Sequence, residues 1–200
     1  MRSLLFSLAM LTSLACHTAA KPTQTTQAKP NPIEVFTSDA AGFDTHSFWI
    51  DTGKEVVVFD AQFTEVLAKQ LISQIQNKTA SPIKYVVVTH PNPDKFNGVG
   101  PFQALGARVV ASEETAKAIP GVHAYKKYFF VQMAKMFTEE TYPPEAKIDL
   151  TFRGDFALPL QGGAKVLLHE LKHNGVSSTQ TVAYLPANRA LIAAAPRRSC

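Results

Sequence analysis

Four side chains in the short run His90-Pro91-Asn92-Pro93-Asp94-Lys95 have the types and spacing to do chemistry. The His90 imidazole can ligate a metal ion or move a proton. Asp94 can act as a ligand or accept the proton of an attacking water. Asn92 offers only an amide oxygen, a neutral donor better suited to hard cations. Lys95 cannot ligate while charged. Its ammonium could stabilise an oxyanion or a substrate carboxylate, or it could simply pair with Asp94.

These residues need a rigid mount, and the flanking sequence supplies one. Tyr85-Val86-Val87-Val88 is a continuous, β-branched apolar run that reads as a fully buried strand. Thr89 and His90 end it, and Pro91 and Pro93 predict a stiff loop that neither continues the ladder nor enters a helix. Gly98 then lets the chain turn into a helix over Val99 to Leu105. Polar groups beyond the carboxyl end of a buried strand are how open α/β sheets build sites. The plainer alternative is a solvated connection.

The rest of the chain frames that stretch. Ile33 to Phe36 predicts a first strand. Ser47 to Ile50 and Glu55 to Phe59 predict a hairpin about the turn Asp51-Thr52-Gly53-Lys54, ending at Asp60. In Thr64 to Ile75, the positions Val66, Leu67, Leu71, Ile72 and Ile75 recur at helical spacing. Ala107 to Val110 is a further strand, and Ser112-Glu113-Glu114 caps a short helix expected to stop at Pro120-Gly121. A separate helix is expected from His123 to Thr138, with Tyr125, Phe129, Met133 and Met136 on one side. Core packing is the preferred reading of that side, and a substrate-facing lid the other. Tyr142-Pro143-Pro144 should break this helix. Short strands follow at 148–152, 156–160, 164–171, 181–185 and 190–192. No internal repeat is visible. The pattern predicts two packed sheets with helices outside.

Length and composition agree with one domain and a short leader. The chain has 200 residues, 46% of them hydrophobic and 18% charged, enough for a substantial core. The net charge of +4, without any long Lys/Arg cluster, leaves nucleic-acid binding without an electrostatic footprint. Met1-Arg2 followed by Leu4 to Ala15 is a positive start and an apolar segment too short to span a bilayer. With Thr18-Ala19-Ala20 as a cleavage site, residues 1–20 read as a signal peptide and 21–32 as a polar, proline-rich linker to a domain over 33–200. The mature protein is therefore expected to be periplasmic or secreted. Ser13-Leu14-Ala15-Cys16 also resembles a bacterial lipoprotein box, with Ser13 where Leu is usual, and lipidation at Cys16 would bring the protein to a membrane. After cleavage Cys200 is the lone thiol, so no intrachain disulfide can hold the fold.

A hairpin ending in Asp60, a helix, a strand and then T-H-P-N-P-D-K-F-N-G resembles the metallo-β-lactamase fold superfamily, whose signature here is T-H-x-H-x-D-H-x-x-G. The resemblance runs over about residues 33–192. It implies an α+β or α/β four-layer αβ/βα sandwich. It also implies a metal-activated hydroxide acting on a small-molecule ester, amide, lactone or similar bond. His90, Asp94 and Gly98 match the signature, whereas Asn92 and Lys95 stand where the second and third His belong. His173, in His173-Asn174-Gly175-Val176-Ser177, resembles the next ligand. Zinc needs three protein ligands and an open position, so at most one ion is expected, from His90, Asn92, Asp94 and His173. Lys95 would repel a second. His169 is weighed as a replacement ligand and read instead as an ordinary strand histidine; His46 and His123 receive no role.

The resemblance also calls for Gly-Asp and a final His near the end. The chain there runs Ala193-Ala194-Ala195-Pro196-Arg197-Arg198-Ser199-Cys200. The expectation is a domain missing its closing elements, interrupted or frameshifted at this point, with a natural short tail as the alternative. Three functions remain: a hydrolase with Asp94 and Lys95 as its catalytic groups, a non-catalytic ligand-binding domain, or an inactive incomplete product. Fold similarity alone does not choose among them.

Overall fold

In a computed structural model that describes residues 30–171 and 177–194, two sheets face each other across a shared core. The larger has six strands in sequence order: β1 (Ile33–Thr37), β2 (His46–Asp51), β3 (Val56–Phe59), β4 (Ile83–Val87), β5 (Arg108–Ser112) and β6 (Leu150–Phe152). The first three are antiparallel and β3 to β6 run parallel. The smaller sheet has the order β10-β9-β8-β7, all antiparallel, from β7 (Asp155–Ala157), β8 (Leu167–Leu171), β9 (Gln180–Leu185) and β10 (Ala190–Ile192).

The apolar runs of β3 to β5 follow from burial on both faces. Val57, Phe59, Tyr85, Val87 and Val110 meet Leu168, Ala183, Leu185 and Ile192 of the smaller sheet. The alternating residues Val56, Val58, Val86, Val109 and Ala111 meet the helices on the other side. Period-two alternation is thus present, but both phases are apolar.

Four helices cover the larger sheet: α1 (Glu65–Gln76), α2 (Pro93–Phe96), α3 (Val99–Ala104) and α4 (Glu113–Tyr128). Buried side chains of all four, among them Leu71, Ile75, Phe96, Phe102 and Ile119, join the cluster on that face. Thr64 caps α1 by accepting from the Leu67 amide, and Ser112 caps α4 through Thr115. The smaller sheet turns Leu167, Tyr184 and Leu191, neighbours in register, away from the shared core, and Leu191 is 61% exposed.

Three local expectations are corrected. The segment after Pro91 is not purely a loop: Pro93 opens α2 at its first position, where a missing N–H costs nothing. Nor does Pro120 end its helix. It sits exposed inside α4, which continues because Ile119 before it and His123 after it are both buried, His123 donating through Nε2 to the Pro143 carbonyl at 2.9 Å. Finally, Tyr125, Phe129, Met133 and Met136 are 40–65% exposed instead of packed in the core. One turn of π-helix, Phe129–Met133, follows α4 and swings Phe130 and Val131 inward against Phe63 and Tyr142. The sandwich itself agrees with expectation. The signal-peptide and lipidation readings at residues 1–20, His173, and the tail after Ala194 lie outside the described residues.

Candidate active site

The loop singled out by the sequence does lie beyond the carboxyl end of β4, and His90, Asn92, Asp94 and Lys95 all line one cavity of about 750 Å³. Its base is built from a residue the motif search left aside. Asp60 follows β3 directly, so an apolar strand delivers a carboxylate into the interior, where it is 5% exposed. Its backbone is left-handed, φ 69°, and Gln62 two residues on has φ 77°. This tight turn receives the site loop: the Ala61 amide donates to the Lys95 carbonyl at 2.9 Å and the Gly98 amide to the Gln62 carbonyl at 3.0 Å. Gly98 is required by that approach, because a Cβ there would lie 2.1 Å from the Ala61 oxygen.

Two hydrogen-bonded chains start from Asp60. In the first, Thr89 donates its amide to Oδ1 at 2.9 Å and its hydroxyl to Oδ2 at 3.0 Å. With its own proton so committed, the Thr89 hydroxyl accepts from His90 Nδ1 at 3.1 Å. That fixes the tautomer and leaves Nε2 unprotonated, where it accepts from Asn92 Nδ2 at 3.2 Å. Burial, aided by the Lys95 charge, holds the His90 pKa below its ordinary value against the pull of Asp60 and Asp94, so the neutral ring is the resident form.

The second chain is ionic. Lys95 Nζ lies 3.5 Å from Asp60 Oδ2 and 3.1 Å from Asp94 Oδ2. Thr45 donates its hydroxyl to the same Asp94 oxygen at 3.1 Å. Burial works to strip the proton from Lys95, but the two carboxylates outweigh it and hold its pKa above the ordinary lysine value. Gln62, fully buried, braces this arrangement by donating to the Thr45 carbonyl at 3.1 Å and to Ser47 Oγ at 2.7 Å, while Ser47 donates to the Asp60 carbonyl at 2.6 Å.

Asp60, Thr45, Thr89 and Gln62 are therefore parts of the site that motif reading missed. The one available signal was a charged residue directly after a run of strand residues, Asp60 after Val56 to Phe59. His169 pairs with Asp155 at 2.8 Å on the neighbouring strand, as an ordinary strand histidine would, and does not line the cavity. His46 does line it, held by Thr37 at 2.8 Å.

The sequence profile of the metallo-beta-lactamase superfamily matches residues 40–194. The chain belongs to that superfamily. A metallo-beta-lactamase from Pontibacter korlensis superposes with a TM-score of 0.58 at 22% identity, covering 84% of this chain and 68% of that one. The Cronobacter sakazakii metallo-beta-lactamase described by a HARLDQ motif gives a TM-score of 0.52 at 19% identity, covering 75% of this chain and 52% of that one. The metallo-beta-lactamase IND-7 gives 0.52 at 19%, covering 73% and 56%. This chain thus spans little more than half the length of the last two. At these identities the likeness shows the fold. No curated protein matches the chain.

The superfamily implies metal, and the donors present can be tested against it. Two cations do not fit: the Lys95 ammonium lies between the carboxylates of Asp60 and Asp94. Among the described residues no three His, Cys, Asp or Glu groups converge on one point. One ion fits by donor type, with an imidazole nitrogen, a carboxylate and an amide oxygen on the same cavity wall, if Asn92 releases Nε2.

Proposed function

We propose that this chain is an exported hydrolase that cleaves an ester, amide, lactone or similar bond in a small molecule, with at most one zinc ion. The observation that carries the reading is the convergence of His90, Asp94 and Lys95 on one 750 Å³ cavity in a superfamily of hydrolase fold. His90, Asp94 and the Asn92 amide oxygen, with His173, would hold the ion. A zinc ion held by them would supply a Lewis acid able to make water nucleophilic near neutral pH. The HARLDQ motif by which the Cronobacter protein is described shares its first and fifth letters with His90 and Asp94 in H-P-N-P-D-K.

The chain's own residues divide the remaining work. Asp60, through Thr89, keeps the His90 Nδ1 protonated and so leaves Nε2 as the ring's acceptor, which the Asn92 amide occupies until it is displaced. Lys95 has three N–H bonds and two carboxylate partners, so one proton remains for an oxyanion that develops as the carbonyl is attacked. Lys126 lines the wall together with Phe43 and Phe130, which suits a substrate with an apolar body and an anionic group.

Full-length protein, assayed on chromogenic esters, lactones and β-lactams with and without chelator, tests the reading. Hydrolysis should disappear in Asp94→Ala. It should fall about 100-fold in kcat, with KM changed little, in Lys95→Ala. A folded protein that binds such compounds and cleaves none would be a ligand-binding domain instead. Export is tested separately by the mature N-terminus: a start at Lys21 supports a secreted or periplasmic protein, and a lipid on Cys16 a membrane-anchored one.

A further inference from the structure

Two carboxylate oxygens, Asp60 Oδ2 and Asp94 Oδ2, bond the end of the Lys95 side chain, and Thr45 Oγ1 holds the Asp94 oxygen in place. Converging carboxylate oxygens are what a divalent cation takes as ligands. Here they enclose an ammonium instead. The ammonium cannot diffuse away, since Lys95 belongs to α2 and its carbonyl is fixed by the Ala61 amide. A metal ion would have to displace a tethered charge present at very high effective concentration. It would also leave that charge stranded, as the Lys95 side chain is only 12% exposed.

We infer that Lys95 is a built-in cation standing in place of a second metal ion, closing the Asp60–Asp94 carboxylate pair to divalent metals and giving the cavity a charge that no chelator can remove. The inference rests on the fold and on this cluster, and not on the protein being catalytic. Metal stoichiometry therefore decides it even if no substrate is ever cleaved.

The test uses the full chain, stripped with chelator, dialysed against zinc chloride and measured by elemental analysis. Lys95→Ala should take up one equivalent more than the wild type. Its melting temperature should rise with added zinc by more than the wild type's does. Lys95→Arg, which keeps the charge, should match the wild type. Asp60→Asn placed on Lys95→Ala should remove the extra equivalent and leave the first. If Lys95→Ala is unfolded without metal, folding on addition of zinc is the same supporting result, and failure to fold with zinc overturns the inference. A folded Lys95→Ala with the wild-type stoichiometry, or a wild type that takes up two equivalents, overturns it as well.

Discussion

The two arms that leave Asp60 differ in kind. One is ionic, with Lys95 held between Asp60 and Asp94; the other is neutral, running through Thr89 and His90 to Asn92. The ionic arm is braced by Gln62 and Thr45, whereas the neutral arm, buried at Thr89 and His90, ends in a half-buried amide and a single 3.2 Å hydrogen bond. The difference separates two duties within one motif. The ionic arm holds the site loop to the end of β3, and the neutral arm is where a ring nitrogen can be freed at small cost.

The comparison can be broken first at its charged end. Asp60→Ala should cost about 3–5 kcal/mol, because it deprives a buried lysine of one of its two counter-charges, as read by urea unfolding. A cost below 1 kcal/mol would mean the ionic arm holds nothing. Next comes the mount shared by both arms. Gly98→Ala forces a Cβ against the backbone oxygens of Ala61 and Gln62, at 2.1 and 3.0 Å. It should destabilise by about 3 kcal/mol and loosen the whole loop, visible as a broadened thermal transition. Thr89→Val, at the branch of the neutral arm, leaves His90 Nδ1 without its acceptor and should cost about 1–3 kcal/mol. The smallest effect belongs to Asn92→Ala, about 1 kcal/mol or less, with an increase in the reactivity of His90 towards diethyl pyrocarbonate. An equal loss in Asn92→Ala and Asp60→Ala would erase the distinction.

How legible this was from the sequence depends on what each feature is made of. The runs in β3 and β4 announce themselves because strands apolar on both faces leave a continuous signal, and the strand-to-loop junction at Thr89-His90 follows from the prolines beyond it. Within the loop, His90, Asn92, Asp94 and Lys95 were recognisable by type and spacing, and the structure brings them to one cavity. Their partners were not: Thr45 meets Asp94 across 49 positions, and no local pattern marks a hydroxyl as the neighbour of a distant carboxylate. Pro120 was misread because its local cost is outweighed by packing at Ile119 and His123. The aromatic side of α4 was misread for the opposite reason. Period alone cannot say which face a helix presents once a π-turn has shifted the phase after Tyr128.

The sandwich is also stitched together at the site. The Thr181 amide of β9 donates to the Thr89 carbonyl at 2.7 Å, joining the smaller sheet to the residue that links Asp60 and His90. Thr181 is fully buried. Its amide is therefore a natural gauge of breathing between the sheets: exchange of that one deuteron with solvent requires the seam to part where the chemistry is held. A bound molecule that tightens the cavity will slow it, and one that wedges the sheets apart will speed it. The same peptide group that closes the fold thus reports on the cavity without touching whatever enters it.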